Sequence, residues 1–72
     1  MFTGEHLRLV RQVKGNLTQK LVSKKLRIKQ PAYYKWERSE SIDEEKLQRF
    51  LKAIDCSREE FERIIEFISP QN

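Results

Sequence analysis

The side chains able to do chemistry fall into two groups, and the usual catalytic set is sparse. His6 is the only histidine and Cys56 the only cysteine. His6 has no cysteine or paired carboxylate at metal-ligand spacing. Cys56 has no evident base nearby and falls at an apolar position, which reads as a buried structural thiol rather than a nucleophile. Glu59, Glu60, Glu62 and Glu66 surround one helical stretch. That pattern is a solvated face rather than a metal site. There is no Gly-rich phosphate loop. The chain reads as a non-enzyme, with no metal or cofactor expected. The second group is Lys29, Gln30, Pro31, Tyr34, Lys35 and Arg38. With Tyr33 and Trp36 three apart and turned inward on one helix, these residues all face outward. Gln30 can form a bidentate bond with adenine, and Lys35 or Lys29 can donate to guanine O6 and N7. Tyr34 offers a ring to a thymine methyl group or a hydroxyl to a phosphate. A helix carrying this set is suited to base edges in a major groove.

Five helices are expected to hold that set in place. One device repeats along the chain: an apolar residue, a capping residue, then a second apolar residue five positions after the first. Phe2, Thr3 and Leu7 open the first helix, Leu17, Thr18 and Val22 the second, and Ile28, Lys29 and Tyr33 the third. Ile42, Asp43 and Leu47 open the fourth, and Cys56, Ser57 and Phe61 the fifth, where Glu60 completes a capping box with Ser57. Four of these caps can accept a hydrogen bond from a helix N–H group, and Lys29 cannot. The helices are then Gly4 to Val13, Gln19 to Leu26, Gln30 to Arg38, Glu44 to Ile54 and Arg58 to Ile68. Pro31 suits the first turn of the third, where no N–H bond is lost. The expected core is Leu7, Val10, Leu17, Val22, Leu26, Ile28, Tyr33, Trp36, Leu47, Phe50, Leu51, Ile54 and Phe61. Residues 1–69 form one domain, Pro70 ends the ordered chain, and 70–72 are a short tail.

The stretch from Gln19 to Glu37 resembles, without a gap, the helix-turn-helix of the Cro and phage-lambda-repressor family of transcription factors. Gln19 falls on the family's Gln, Val22 on its core Leu and Ser23 on its small residue. Leu26 and Ile28 flank the turn, Gln30 opens the second helix, Tyr33 takes the inward aliphatic position, and Trp36 with Glu37 match the closing apolar-Glu pair. Three residues depart from the pattern. Arg27 replaces the turn glycine, Lys29 replaces the Ser or Thr cap, and Pro31 enters the second helix. The resemblance implies an all-α, five-helix, lambda-repressor-like domain that binds double-stranded DNA and regulates transcription, with a repressor as the expected form. It implies base reading at the positions of Gln30 and Lys35, and phosphate binding at Gln19, aided by the positive end of its helix. Lys20, Lys24, Lys25 and Arg38 would add charge along the backbone. It also implies an ion pair between Glu37 and Arg11 that locks the recognition helix to the first.

The charge is placed accordingly. Up to Arg38 ten Lys and Arg face only Glu5 and Glu37, a net of +8; from Ser39 onward five basic residues face nine acidic ones, a net of −4. A polyanion would meet the first part and be repelled by the second. No apolar run approaches the roughly 20 residues of a membrane span. The N-terminus lacks the pattern of a signal peptide. A single cysteine allows no internal disulfide, and a cytoplasmic protein without a sensor domain is expected. The last helix carries Phe61, Ile64, Ile65, Phe67 and Ile68, more apolar surface than so short a chain should need to cover. In related proteins this region often makes the dimer contact. A homodimer through Ile64, Ile65, Phe67 and Ile68 is therefore expected on a short palindrome. The alternative is an interaction protein, such as an antitoxin, whose last helix binds a protein partner.

Overall fold

The computed structural model describes residues 2–68, which hold five helices: α1 (Gly4–Val13), α2 (Gln19–Leu26), α3 (Gln30–Glu37), α4 (Glu44–Ala53) and α5 (Arg58–Ile68). There is no strand among the described residues. The expected stop at Pro70 and the tail beyond it lie outside them. Arg38 and Ile54 serve as C-caps, so α3 and α4 each end one residue earlier than the spacing suggests.

The caps act where the sequence puts acceptors. Thr18 Oγ1 accepts from the Leu21 N–H at 3.1 Å, Asp43 Oδ1 from Lys46 at 2.8 Å and Ser57 Oγ from Glu60 at 3.0 Å. At α1 the box is closed by histidine: Thr3 Oγ1 accepts from the His6 N–H, and His6 Nδ1 accepts from the Thr3 N–H at 3.0 Å. An imidazole must be neutral at Nδ1 to do this. Burial holds the His6 pKa below its ordinary value. Lys29 starts α3 in extended backbone with no side-chain cap bond. The Glu60 carboxylate is held by Lys14 Nζ at 2.8 Å, which ties α5 to the end of α1.

Helix α3 packs against both α1 and α2, α5 lies on α1, and α4 lies on α2. The centre is aromatic. Tyr33 stacks on Phe50 with ring centroids 6.4 Å apart, Phe50 meets Phe61 edge-on at 6.4 Å, and Phe61 meets Phe2 edge-on at 4.9 Å. Leu7, Val10, Val22 and Leu47 fill the spaces between, with Ile42 and Cys56 joining them. Leu17 and Ile28, expected in the core, sit half-buried at its margin because each belongs to a turn that skirts the surface. Burial pushes the Cys56 thiol up to about 11, which keeps it protonated at neutral pH.

The apolar residues of α5 divide between the core and the surface. Phe61 is wholly inside the core, and Ile64 and Ile65 are partly covered by it. Phe61 closes the domain as expected, and of the four residues expected to be spare, Ile64 and Ile65 lean on the core and Ile68 is half-buried. Phe67 alone stands fully out, 89% exposed, and Val13 at the end of α1 is 54% exposed.

Candidate nucleic-acid interface

The turn between α2 and α3 is built by one left-handed residue. Arg27 has φ 62° and ψ 39°, and its N–H reaches back to the Ser23 and Lys24 carbonyls. The Ile28 N–H then bonds to the Ser23 carbonyl at 3.0 Å. This closes α2 and redirects the chain. A non-glycine residue in this conformation costs about 1 kcal/mol. Ser23 is buried here, its small side chain bonded to the Lys20 carbonyl at 2.8 Å.

The outward face of α3 carries the expected groups. Gln30, Pro31, Tyr34 and Lys35 are exposed, as is Lys29 before them. Gln19, at the start of α2, lines the same surface depression as Gln30, Pro31 and Tyr34. Arg38 lies over the Tyr34 ring, 5.6 Å from its centroid, and donates to the Tyr34 hydroxyl at 2.7 Å. Lys20 and Lys24 are exposed along α2.

Behind this face lies a buried ionic knot. Arg11 Nε donates to Glu37 Oε2 at 2.6 Å and Arg11 Nη2 to Glu37 Oε1 at 3.1 Å, with the side chains 9% and 2% exposed. Arg11 Nη1 donates to the Leu17 carbonyl at 2.7 Å, and Gln19 Nε2 donates to Glu37 Oε1 at 2.9 Å. One carboxylate therefore joins α1, α2 and α3. Burial alone would raise the Glu37 pKa, but the bonds it accepts, led by those from Arg11, leave it lowered. The Tyr33 hydroxyl is buried without a hydrogen-bond partner among the described residues. Burial first, and then the nearby Glu37 charge, push its pKa far above the ordinary tyrosine range. The clamp on α3 has a second part at Gly4. A Cβ at Gly4 would overlap the Trp36 and Glu37 backbone, so only glycine lets α1 start against the end of α3. The Gly4 N–H donates to the Ser39 carbonyl at 2.9 Å.

Three features of the region escape a reading from the sequence. The Gln19–Glu37 bond joins a residue expected on phosphate to one expected in an ion pair. Gly4 has no signal in the pattern of caps and apolar residues. Lys46 Nζ and the Arg49 guanidinium both cover Trp36, at 5.9 and 5.5 Å from the ring centroid, although α4 belongs to the acidic half of the chain. No local signal marks any of these, since each depends on packing between elements distant in the chain.

Two short helices set about a left-handed turn, with the second clamped from behind and exposed in front, define a helix-turn-helix domain. A helix-turn-helix family model matches residues 7–61. The chain belongs to that family, the DNA-binding Cro/repressor type found in phage repressors and transcriptional regulators. No curated protein and no solved structure matches the chain. No helix of the described residues is long and apolar enough to cross a membrane.

Proposed function

We propose that the protein is a homodimeric, cytoplasmic transcriptional repressor that reads a short palindrome in the major groove with α3. The observation that carries this reading is the segregation of unpaired charge. Arg8, Arg11, Lys14, Lys46, Arg58 and Arg63 each pair with a carboxylate. Lys20, Lys24, Lys25, Arg27, Lys29, Lys35, Arg38, Arg49 and Lys52 have no carboxylate partner among the described residues, and all lie on α2, the turn, α3, its cap or α4. Cations left without internal partners on one part of a small domain suit a polyanion. In this reading Gln30 and Lys35, with Lys29, Pro31 and Tyr34, meet base edges. Gln19, Lys20, Lys24 and Arg38 meet phosphates, and Glu37 orients Gln19 for that contact.

The dimer contact in this reading is the outer end of α5. Phe67 and Ile64 line a surface groove with Val13, Glu60 and Arg63, and Ile65 and Ile68 flank it on the same helix. A two-fold axis there would set half-site centres about one helical turn, roughly 34 Å, apart. The same exposed Val13 and Phe67 favour a second reading, in which α5 binds a different protein, as an antitoxin would.

The test is selection of bound sequences from random DNA, followed by competition binding of variants. Gln30→Ala and Lys35→Ala each lose about 1–3 kcal/mol of specific affinity and relax base preference, whereas Lys24→Ala weakens all sequences alike. An unchanged preference in Gln30→Ala removes α3 from the groove. A stoichiometric protein partner that co-purifies with the wild type and is lost with Phe67→Asp favours the second reading.

A further inference from the structure

One group of unpaired cations, of which only Lys25 was expected near the DNA backbone, gathers away from the outward face of α3. Lys25 and Arg27 at the end of α2 and Arg49 and Lys52 on α4 line one open cleft, together with Leu26 and Ala53. The lining holds four cations and no carboxylate. Arg49 is held in place on both sides: one Nη donates to the Leu26 carbonyl at 3.3 Å, and the guanidinium lies over Trp36. Its remaining N–H groups are left for a ligand, since a guanidinium has five. Arg27 occupies the left-handed position that glycine would take without strain. Lys29, two residues on, occupies a helix start that a hydroxyl or carboxylate side chain would cap. On either side of Ile28 the chain thus carries a cation where local backbone preference asks for another residue type.

We propose that the cleft between α2 and α4 is a second phosphodiester-backbone site, which holds DNA where it runs past the start of α3. The proposal rests on the groove reading and extends it from the half-site to its flank. Continuity supports a DNA strand over an acidic protein segment. Arg27 lies just before Lys29 along the turn, so the cleft prolongs the unpaired charge at the start of the recognition helix. Two arginines, whose planar forks match phosphate oxygens, share the lining with two lysines that act as point charges. The base sequence of that flank would not be read, because none of the four cations lies on α3, the helix that enters the groove.

The test uses Arg27→Gly/Lys52→Gln. Glycine relieves the positive φ at Arg27, and Lys52 is exposed, so the variant keeps the fold. Two duplexes carry the same selected half-site. One ends about a base pair beyond the groove contacts, and the other continues for about one further helical turn on each side. The affinity of wild type and variant is measured on both across a salt series. On the long duplex the variant binds about tenfold more weakly, and its log–log salt slope is smaller by roughly 1–2 units, at about 0.9 for each phosphate that is no longer neutralised. On the short duplex the two proteins agree within about twofold. An equal loss on both duplexes overturns the flank site in favour of diffuse charge. No loss on either overturns it as well, and leaves the cleft to an acidic protein segment. Gln30→Ala is run beside them: if it keeps the wild-type base preference, the groove reading fails, whatever the cleft variant does.

Discussion

Removing the Glu37 carboxylate should come close to unfolding the domain. Glu37→Ala strands a buried guanidinium, deletes three accepted hydrogen bonds and unties α3 from α1 and α2. Breaking a buried ion pair from one side costs about 3–5 kcal/mol, most of it from the charge left behind. A domain of 72 residues has a total stability of roughly 4–11 kcal/mol at 0.05–0.15 kcal/mol per residue. The loss is therefore a large fraction of the whole, and the melting temperature should fall by about 15 °C or more. Arg11→Met removes the other partner and leaves the carboxylate with Gln19 alone. The double variant Arg11→Met/Glu37→Ala buries neither charge and should lie closer to wild type than the sum of its single changes, with about 2–3 kcal/mol of coupling. Urea denaturation followed by fluorescence suits the measurement, because Trp36 is the only tryptophan, is nearly buried and sits beside Glu37. A pH series supplies an independent readout. The folded Glu37 pKa is lowered from 4.5, so its contribution is complete above that value and is lost as pH falls through the lower folded one. Glu37→Gln should lack that acid-side loss. Energies that add to within about 0.5 kcal/mol, or an unaltered acid limb in Glu37→Gln, would refute the coupled clamp.

Lys29→Ser supplies the missing cap acceptor and should add about 0.5–1 kcal/mol of stability, while the lost cation lowers DNA affinity and flattens the salt slope by about one unit; melts and titrations on one preparation check both. Tyr33→Phe removes a buried hydroxyl that lacks a partner, and thermal melts should show it neutral or stabilised by up to about 1 kcal/mol. Phe67→Asp changes a side chain that touches little of the domain, so the melting temperature should hold. Sedimentation at micromolar concentration should then find a dimer for the wild type and a monomer for the variant, and a variant that still dimerises would move the contact away from α5.

Local rules were enough to lay out the helices. Thr3, Thr18, Asp43 and Ser57 can each satisfy N–H groups that a helix start leaves open, and an apolar residue before and after each cap gives the chain a reason to turn there. Tyr33 and Trp36, three apart, decide which side of α3 goes inward and hence which side is left to Gln30, Tyr34 and Lys35. The resemblance over Gln19 to Glu37 supplied the functional class, and with it the pairing of Arg11 and Glu37, which lie far apart in the chain. Composition also displayed the split of charge between the two parts of the chain.

Tertiary packing decided what no local rule encodes. Ile64, Ile65, Phe67 and Ile68 looked alike in the sequence, yet Ile64 and Ile65 lean on the core while Phe67 was left in solvent, because the way α5 lies on α1 determines which of its faces is covered. The need for glycine at Gly4 comes from the end of α3, at the far side of the helix-turn-helix in the chain. The exposure of Arg49 and Lys52 beside Lys25 and Arg27 depends on how α4 crosses α2, so an acidic half of the chain contributes to a basic cleft. Caps and periodicity act within one turn of helix, and a sequence displays them directly. Which faces meet is settled by the combined packing of all five helices, and that depends on distances that spacing along the chain does not record.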